Sequence, residues 1–378
     1  MATTKPKAMV AMSGGVDSSV AALLAQRAGY DCVGVTMKLF ANEDVGEDAG
    51  RPCCSLADAG DAARAAVALG IPHYVFDFTE EFRRDVIGRF AAAYAGGATP
   101  NPCIDCNDYL KFGRLLARAR QMGFDKLVTG HYARIIPVDD GARWGLARAA
   151  YREKDQTYFL YTMTQDQLAH TLFPLADLTK PEVRALAAEA GLPTAAKRES
   201  QDICFVRDGD YQAFLEQYFG TGTGGSDTFG GTGNQNGLSP GNFVDADGCV
   251  LGRHGGIARY TIGQRKGLGV ALGRPAYVAE IRPDTNEVVL VTDESAVFCD
   301  TIQVEDVNWI AFAAPPREPL RAQVQIRYAA PPVPATITAQ ARDGTVTVTF
   351  GAPVRAPARG QAAVFYDGDV CLGGGRIV

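Results

Sequence analysis

Long hydrophobic runs are missing from this chain: no apolar stretch approaches the roughly 18 residues that a bilayer span requires, so a membrane-embedded function is not expected. Met1 to Lys7 carries two lysines with no apolar h-region behind them, and no secretory signal is expected either. A Walker-type phosphate loop is also absent, since Gly-x-x-x-x-Gly-Lys-[Ser/Thr] occurs nowhere. Positive charge is not in excess: a formal net charge of −6 does not mark a nucleic-acid binder, because phosphate contacts need local positive charge. The dense, regular cysteine spacing of a disulfide framework is lacking too. Nine scattered cysteines, an odd number, point to a reducing compartment, the cytoplasm, and to thiol chemistry or metal binding.

What remains is an ordinary globular composition, 378 residues with 47% hydrophobic and 21% charged, enough for two or three domains and a substantial core. Local basic segments persist within the acidic average. Arg253, Arg259, Arg265, Lys266 and Arg274 occur with no Asp or Glu among them, and Lys111, Arg114, Arg118 and Arg120 follow closely on one another. Most such runs are solvated faces.

Residues 8 to about 205 alternate strand and helix patterns. Strands are expected at Ala8 to Met12, Cys32 to Met37, His73 to Phe78 and Lys126 to Thr129; helices at Ser18 to Ala28, Leu56 to Leu69, Glu80 to Ala95 and Tyr109 to Met122. This alternation predicts an α/β fold with a doubly wound parallel sheet and ligands at the carboxyl ends of the strands, where Ser13 and Gly130 fall. Gln165 to His170, with Thr164 as N-cap, and Pro181 to Ala190, closed by Gly191, are also helical in pattern. Gly220 to Gly241 is glycine-rich and reads as a mobile surface insertion. Short strands follow, with clean alternation over Arg321 to Tyr328 and again at Thr345 to Phe350 and Gln361 to Tyr366, which predicts a small C-terminal β-barrel. The expected division is a catalytic domain over 1–205, a small central domain over 206–295 and the barrel over 296–378.

Ser13-Gly14-Gly15-Val16-Asp17-Ser18-Ser19 stands between an apolar strand and a helix. Two glycines there leave backbone N–H groups converging at a helix N-terminus, which makes an anion cradle. Without a Walker lysine, the loop suits the pyrophosphate of ATP and leaves the α-phosphate open, favouring adenylation over γ-phosphoryl transfer. It resembles the signature Ser-Gly-Gly-x-Asp-Ser of the PP-loop ATP pyrophosphatase superfamily. A second segment, Thr99 to Asn107, holds Cys103 and Cys106 in a loop that two prolines stiffen. An exposed loop before a helix N-terminus suits a thiolate nucleophile, and the same Cys-x-x-Cys suits half of a metal site. A third, Glu199 to Phe205, ends in Cys204 flanked by apolar residues.

Taken with Gly130-His131-Tyr132-Ala133, Lys154 to Leu160, Tyr260 to Gly269, Arg327-Tyr328 and Leu372 to Gly375, these strings make the chain resemble the bacterial tRNA-specific 2-thiouridylase family over nearly its whole length. The resemblance implies ATP binding by Ala11, Met12, Ser13, Gly14, Gly15, Val16, Asp17, Ser18, Met37 and Gly130, with Asp17 helping to hold ATP and Mg²⁺. It implies Cys106 as nucleophile and Cys204 as persulfide carrier, Asn101, Pro102 and Cys103 against the target base, and Lys154, Asp155, Gln156, Arg327 and Tyr328 on tRNA. A sulfur donor or relay protein is the further partner. Family members often carry Asp at the position of Cys103, so a carboxylate role there does not transfer. Three cysteines, Cys103, Cys106 and Cys204, equal the number with which some related RNA thiolases hold an iron–sulfur cluster. Two other readings stand beside thiolation: a nitrogen-transferring ligase that keeps the adenylating loop, and a non-enzymatic RNA-binding module with zinc at Cys103, Cys106 and Cys53-Cys54.

Overall fold

The computed structural model describes residues 5–40, 56–197, 203–206, 209–220, 235–340 and 344–378. Five parallel strands form the first sheet, in the order β3-β2-β1-β4-β7. They are β1 (Lys7–Ala11), β2 (Asp31–Lys38), β3 (His73–Asp77), β4 (Lys126–Val128) and β7 (Thr171–Leu172). Ala8, Met9 and Val10 have no exposed surface, as a central strand covered on both faces requires. The chain runs outward from β1 to β3 and then returns to β4 on the other side of β1, so the order reverses between β1 and β4. That switch point opens a crevice at the strands' carboxyl ends.

Helix α1 (Val16–Arg27) follows β1 and α2 (Leu56–Leu69) precedes β3. Helix α3 runs through Thr79–Phe82, a π-helical turn at Arg83–Gly88, and Arg89–Ala95. Helix α4 comprises Pro102–Asp105, a π-helical stretch Cys106–Leu115, and Leu116–Gln121. This corrects the expectation of a loop up to Tyr109. Asn101 caps the helix by accepting the Cys103 N–H at 3.2 Å, and Pro102 takes the first helical position, where a missing N–H costs nothing. Cys103 and Cys106 therefore ride on a helix. Helices α5 (Gln165–Ala169) and α6 (Lys180–Glu189) each start with a reciprocal capping box, on Thr164 with Gln167 and on Thr179 with Glu182.

Helix α7 (Tyr211–Gly220) leads to a mixed sheet ordered β10-β11-β8-β9, made of β8 (Gly241–Val244), β9 (Val250–His254), β10 (Tyr277–Arg282) and β11 (Glu287–Val291). Of the expected glycine-rich insertion, residues 221–234 lie outside the described residues. Its end is no insertion: Gln235–Leu238 form a 3₁₀ turn so close to α3 that a Cβ on Gly237 would stand 2.6 Å from the Cα of Ala95.

The third sheet orders β12 (Phe298–Trp309), β15 (Val346–Arg355), β14 (Val333–Ala339), β13 (Leu320–Gln325), β16 (Ala362–Asp367) and β17 (Val370–Ile377), and pairing of β12 with β17 closes it into a six-stranded barrel. Strand β13 stops at Gln325, short of the expected Tyr328, because Gln325 turns its amide to the carbonyls of Arg327 (3.2 Å) and Tyr328 (2.8 Å) and ends the ladder. An unexpected hairpin, β5 (Ala133–Val138) and β6 (Arg143–Arg148), leaves the parallel-sheet domain and pairs with β17 through Ala147–Val370 and Leu146–Cys371. One apolar core consequently runs from Phe90, Leu110 and Leu127 through Leu146 to Val364, Tyr366 and Cys371. Among the described residues no helix is long and apolar enough to cross a membrane.

Candidate active site

The crevice at the switch point is a cavity of about 310 Å³. Its floor is the glycine loop. Gly14 adopts φ +73°, and a Cβ there would lie 2.2 Å from the Asp58 carbonyl oxygen, so only glycine fits. Gly130, after β4, has its own Cβ direction blocked by the Asp17–Ser18 peptide at 2.7 Å, which lets the two loops close on each other. The N-cap of α1 is Gly15, with no side-chain hydrogen bond on the helix's first N–H groups, so those donors are left for an anion. Lys197 holds the loop from behind, donating to the Gly14 carbonyl at 3.0 Å while ion-pairing Asp58 at 2.5 Å.

Ala11, Met12, Ser13, Asp17, Ser18, Met37 and Gly130 all line this cavity, while Gly14, Gly15 and Val16 form the loop and helix start beside it. The Asp17 carboxylate is already engaged: Lys180 Nζ donates to both of its oxygens at 2.7 Å and Tyr132 Oη to one at 2.9 Å. Lys180 is buried, set in place as the first residue of α6 by the Thr179 cap. The expectation that Asp17 serves a metal meets a carboxylate held by an ammonium. The sequence reading passed over Lys180, for which the Thr-Lys-Pro-Glu capping pattern was the available signal.

The sulfur-bearing side chains arrive on the opposite wall. Cys103 and Cys106 come from α4, Cys204 from the turn at 203–206, and all three line the cavity that the glycine loop lines. Cys103 is exposed, and Cys106 and Cys204 are half-buried. Cys53 and Cys54 lie outside the described residues. Among the described residues no group of three His, Cys, Asp or Glu side chains is placed to hold a metal ion. His131, also lining, accepts or donates through Nδ1 to Thr129 Oγ1 at 2.7 Å and packs between the rings of Phe112 and Phe173. Burial and, secondarily, the Lys111 charge hold its pKa well below the usual imidazole value, so it is neutral at pH 7.

The residues expected on tRNA divide. Tyr328 is exposed, its ring 4.3 Å from that of Phe159, and its hydroxyl pKa is raised by burial and by the charges of Asp155 and Cys103. Lys154 opposes that rise, so Tyr328 lies within electrostatic reach of both Lys154 and Cys103. Asp155 is not at the surface. It is buried and accepts from the Ala149 N–H (3.0 Å), Thr157 Oγ1 (2.6 Å) and the Arg148 guanidinium (3.3 Å). Gln156 lines the cavity and its side-chain oxygen accepts the Tyr132 N–H at 3.0 Å. Arg327 is half-buried and donates to the Ala356 carbonyl. Asn101 is occupied as a helix cap, with Pro102 buried behind it.

Family models match three consecutive stretches: a tRNA methyl transferase HUP domain over residues 6–208, a tRNA methyl transferase PRC-barrel domain over 234–292, and an aminomethyltransferase β-barrel domain over 299–377. The chain is 49% identical to the tRNA-specific 2-thiouridylase MnmA of Carboxydothermus hydrogenoformans, over 99% of this chain and 98% of that protein. It is 47% identical to the tRNA-specific 2-thiouridylase MnmA of Lachnoclostridium phytofermentans, over 98% and 99%. Among solved structures, the U34-tRNA thiolase NcsA from Methanococcus maripaludis with its [4Fe-4S] cluster aligns with 59% of this chain and 67% of that one, at 16% identity and a TM-score of 0.33.

Proposed function

Since the chain belongs to the tRNA-specific 2-thiouridylase family and is a tRNA-uridine 2-sulfurtransferase, we propose that it thiolates the wobble uridine of tRNA through an adenylated base and a cysteine persulfide. The observation that carries this reading is the single cavity lined by the glycine loop, Cys106 and Cys204.

The loop at Ser13 to Ser18 and Gly130 holds ATP through backbone N–H groups, with the α-phosphate turned to the cysteine wall. The oxygen on carbon 2 of uridine attacks the α-phosphorus, the bond to the β-phosphate oxygen breaks, and pyrophosphate leaves. Sulfur arrives on Cys204 as a persulfide from a donor or relay protein. In the direct route its terminal sulfur bonds to carbon 2 and AMP departs; the Cys106 thiolate then attacks the Cys204 sulfur, forming a disulfide and releasing the thiocarbonyl. In the other route Cys106 attacks the persulfide first and frees hydrosulfide, which displaces AMP. Both end in a Cys106–Cys204 disulfide that a thiol must reopen, as a reducing cytoplasm allows. Mg²⁺ bound to ATP phosphates would neutralise their charge. Asp17, the carboxylate expected to help hold it, is paired with Lys180 in this structure.

Incubation with unmodified tRNA, ATP, Mg²⁺ and a persulfide source, followed by nucleoside mass spectrometry, is expected to yield 2-thiouridine. Cys204→Ser and Cys106→Ser are each expected to lower the yield by at least 100-fold while AMP-forming activation persists. A full 2-thiouridine yield from Cys204→Ser would remove the persulfide step, and a full yield from Cys106→Ser would remove Cys106 as the nucleophile.

A further inference from the structure

The π-helical stretch of α4 decides which side chains share a face with Cys106. In a regular α-helix a residue five positions on would stand about 140° around the axis, pointing away. Hydrogen bonding from i to i+5 brings that residue back over the first. Gly113 permits the register: a Cβ there would lie 2.7 Å from the Asp108 carbonyl oxygen five residues earlier. The outcome is that Lys111 lines the same cavity as Cys106.

Among the described residues, the neighbouring cations of α4 are engaged and Lys111 is not. Arg114 pairs with Asp85, Arg120 with Asp166, and Arg118 lies over the Phe76 ring at 4.1 Å. No ion pair or side-chain hydrogen bond among the described residues involves the Lys111 ammonium. Its charge acts on His131, which lines the same cavity, and helps keep that imidazole neutral. The carboxylates nearby have other partners: Asp17 is held by Lys180, and Asp105 and Asp108 face Arg89 in a separate cavity against the barrel. The other titratable groups that line the cavity with Cys106 are the thiols of Cys103 and Cys204, the neutral His131 and the Asp17 carboxylate already paired with Lys180. The helix dipole does not replace a cation at Cys106, because Cys106 is in the second turn after the Asn101 cap and the dipole's effect fades within the first.

We propose that the Lys111 ammonium is the counter-charge that keeps the sulfur of Cys106 anionic, a positioning residue that acts through Cys106 in sulfur transfer. The proposal rests on the reading of Cys106 as nucleophile. A thiolate beside a cation is populated at neutral pH, ready to attack without a separate general base.

The test is the rate of iodoacetamide alkylation at Cys106 in the full-length protein, resolved from Cys103 by fragment mass spectrometry. With neither ATP nor tRNA present, Lys111→Gln is expected to slow alkylation at pH 7 about tenfold and to move its pH midpoint up by about one unit. Lys111→Arg is expected to restore most of the rate, and 1 M KCl to slow the wild type more than Lys111→Gln. Thermal melting matched to wild type confirms that both variants are folded; if Lys111→Gln is not, the salt effect on the wild type decides. An unchanged Cys106 rate in folded Lys111→Gln, with weaker ATP binding, would assign the ammonium to phosphate and overturn the proposal. Production of 2-thiouridine by wild type reads the thiolation chemistry separately, so either idea can fail alone.

Discussion

Gly14 shows how narrowly one residue is constrained. With φ at +73° and the Asp58 carbonyl 2.2 Å from where a Cβ would sit, Gly14→Ala must displace the loop or α2. The expected result is a loss of ATP affinity of at least tenfold by calorimetry, with a stability loss of about 1–3 kcal/mol in urea. Asp105 makes a pH prediction. Burial raises its pKa to about 6, only partly countered by Arg89 at 3.6 Å. Between about pH 4 and pH 6 the folded protein then keeps a proton that the unfolded chain has released, so stability falls as pH rises through that window and levels off above it. Asp105→Asn is expected to remove that component, on the order of 2 kcal/mol, from urea titrations run across the window.

At the scale of elements, the Thr179 capping box does two jobs: it starts α6 and fixes Lys180 against Asp17. Thr179→Ala is expected to cost about 1 kcal/mol in stability and to weaken ATP binding, which calorimetry at constant pH would detect. Arg148, at the end of β6, donates to Asp155 and Gln325 and lies 3.8 Å over the Tyr366 ring. Arg148→Ala leaves the buried Asp155 without its cation and is expected to destabilise by roughly 2–4 kcal/mol. Helices and parallel strands were readable because caps, periodicity and glycine turns are local signals: Thr164, Gly191 and Leu56 to Leu69 lie where pattern alone puts them. The start of α4 was misplaced because two prolines around an asparagine look like a loop, although Asn-Pro is also the N-cap and first position of a helix. The hairpin at 133–148 went unread even though Asp139-Asp140-Gly141 is a turn signal between its strands. Its partner, β17, is more than two hundred residues away, and no local pattern encodes such a pairing.

For the whole molecule, the lining of one cavity by both Cys204 and Cys106 is the feature that sequence could not supply, since nothing in a polar run ending in Cys-Phe specifies where the chain returns. Of the lining residues, Ala11 to Ser13, Asp17, Ser18, Met37, Pro102, Cys103, Cys106, Gly130, Gln156 and Cys204 were singled out in the sequence, whereas the apolar walls from Val35, Leu39, Phe82 and Val86 and the inward turn of Lys111 were not. Because one core spans the parallel-sheet domain and the barrel, heating is expected to give a single cooperative transition in calorimetry for these two parts. Removal of residues 298–378 would expose Leu146 and its neighbours, and aggregation of the remainder is the expected outcome. Binding of tRNA should weaken linearly in log–log plots against salt, with a slope set by the number of phosphates neutralised; a flat response would take the basic segments out of the docking surface.

The ladder from β5 through β6 to β17 ties the barrel rim to the strand end that carries Gly130. Backbone pairing, and not a pliable tether, thus sets how far the barrel stands from the loop that carries Gly130. In that sense the hairpin is a stiff strut between the two parts.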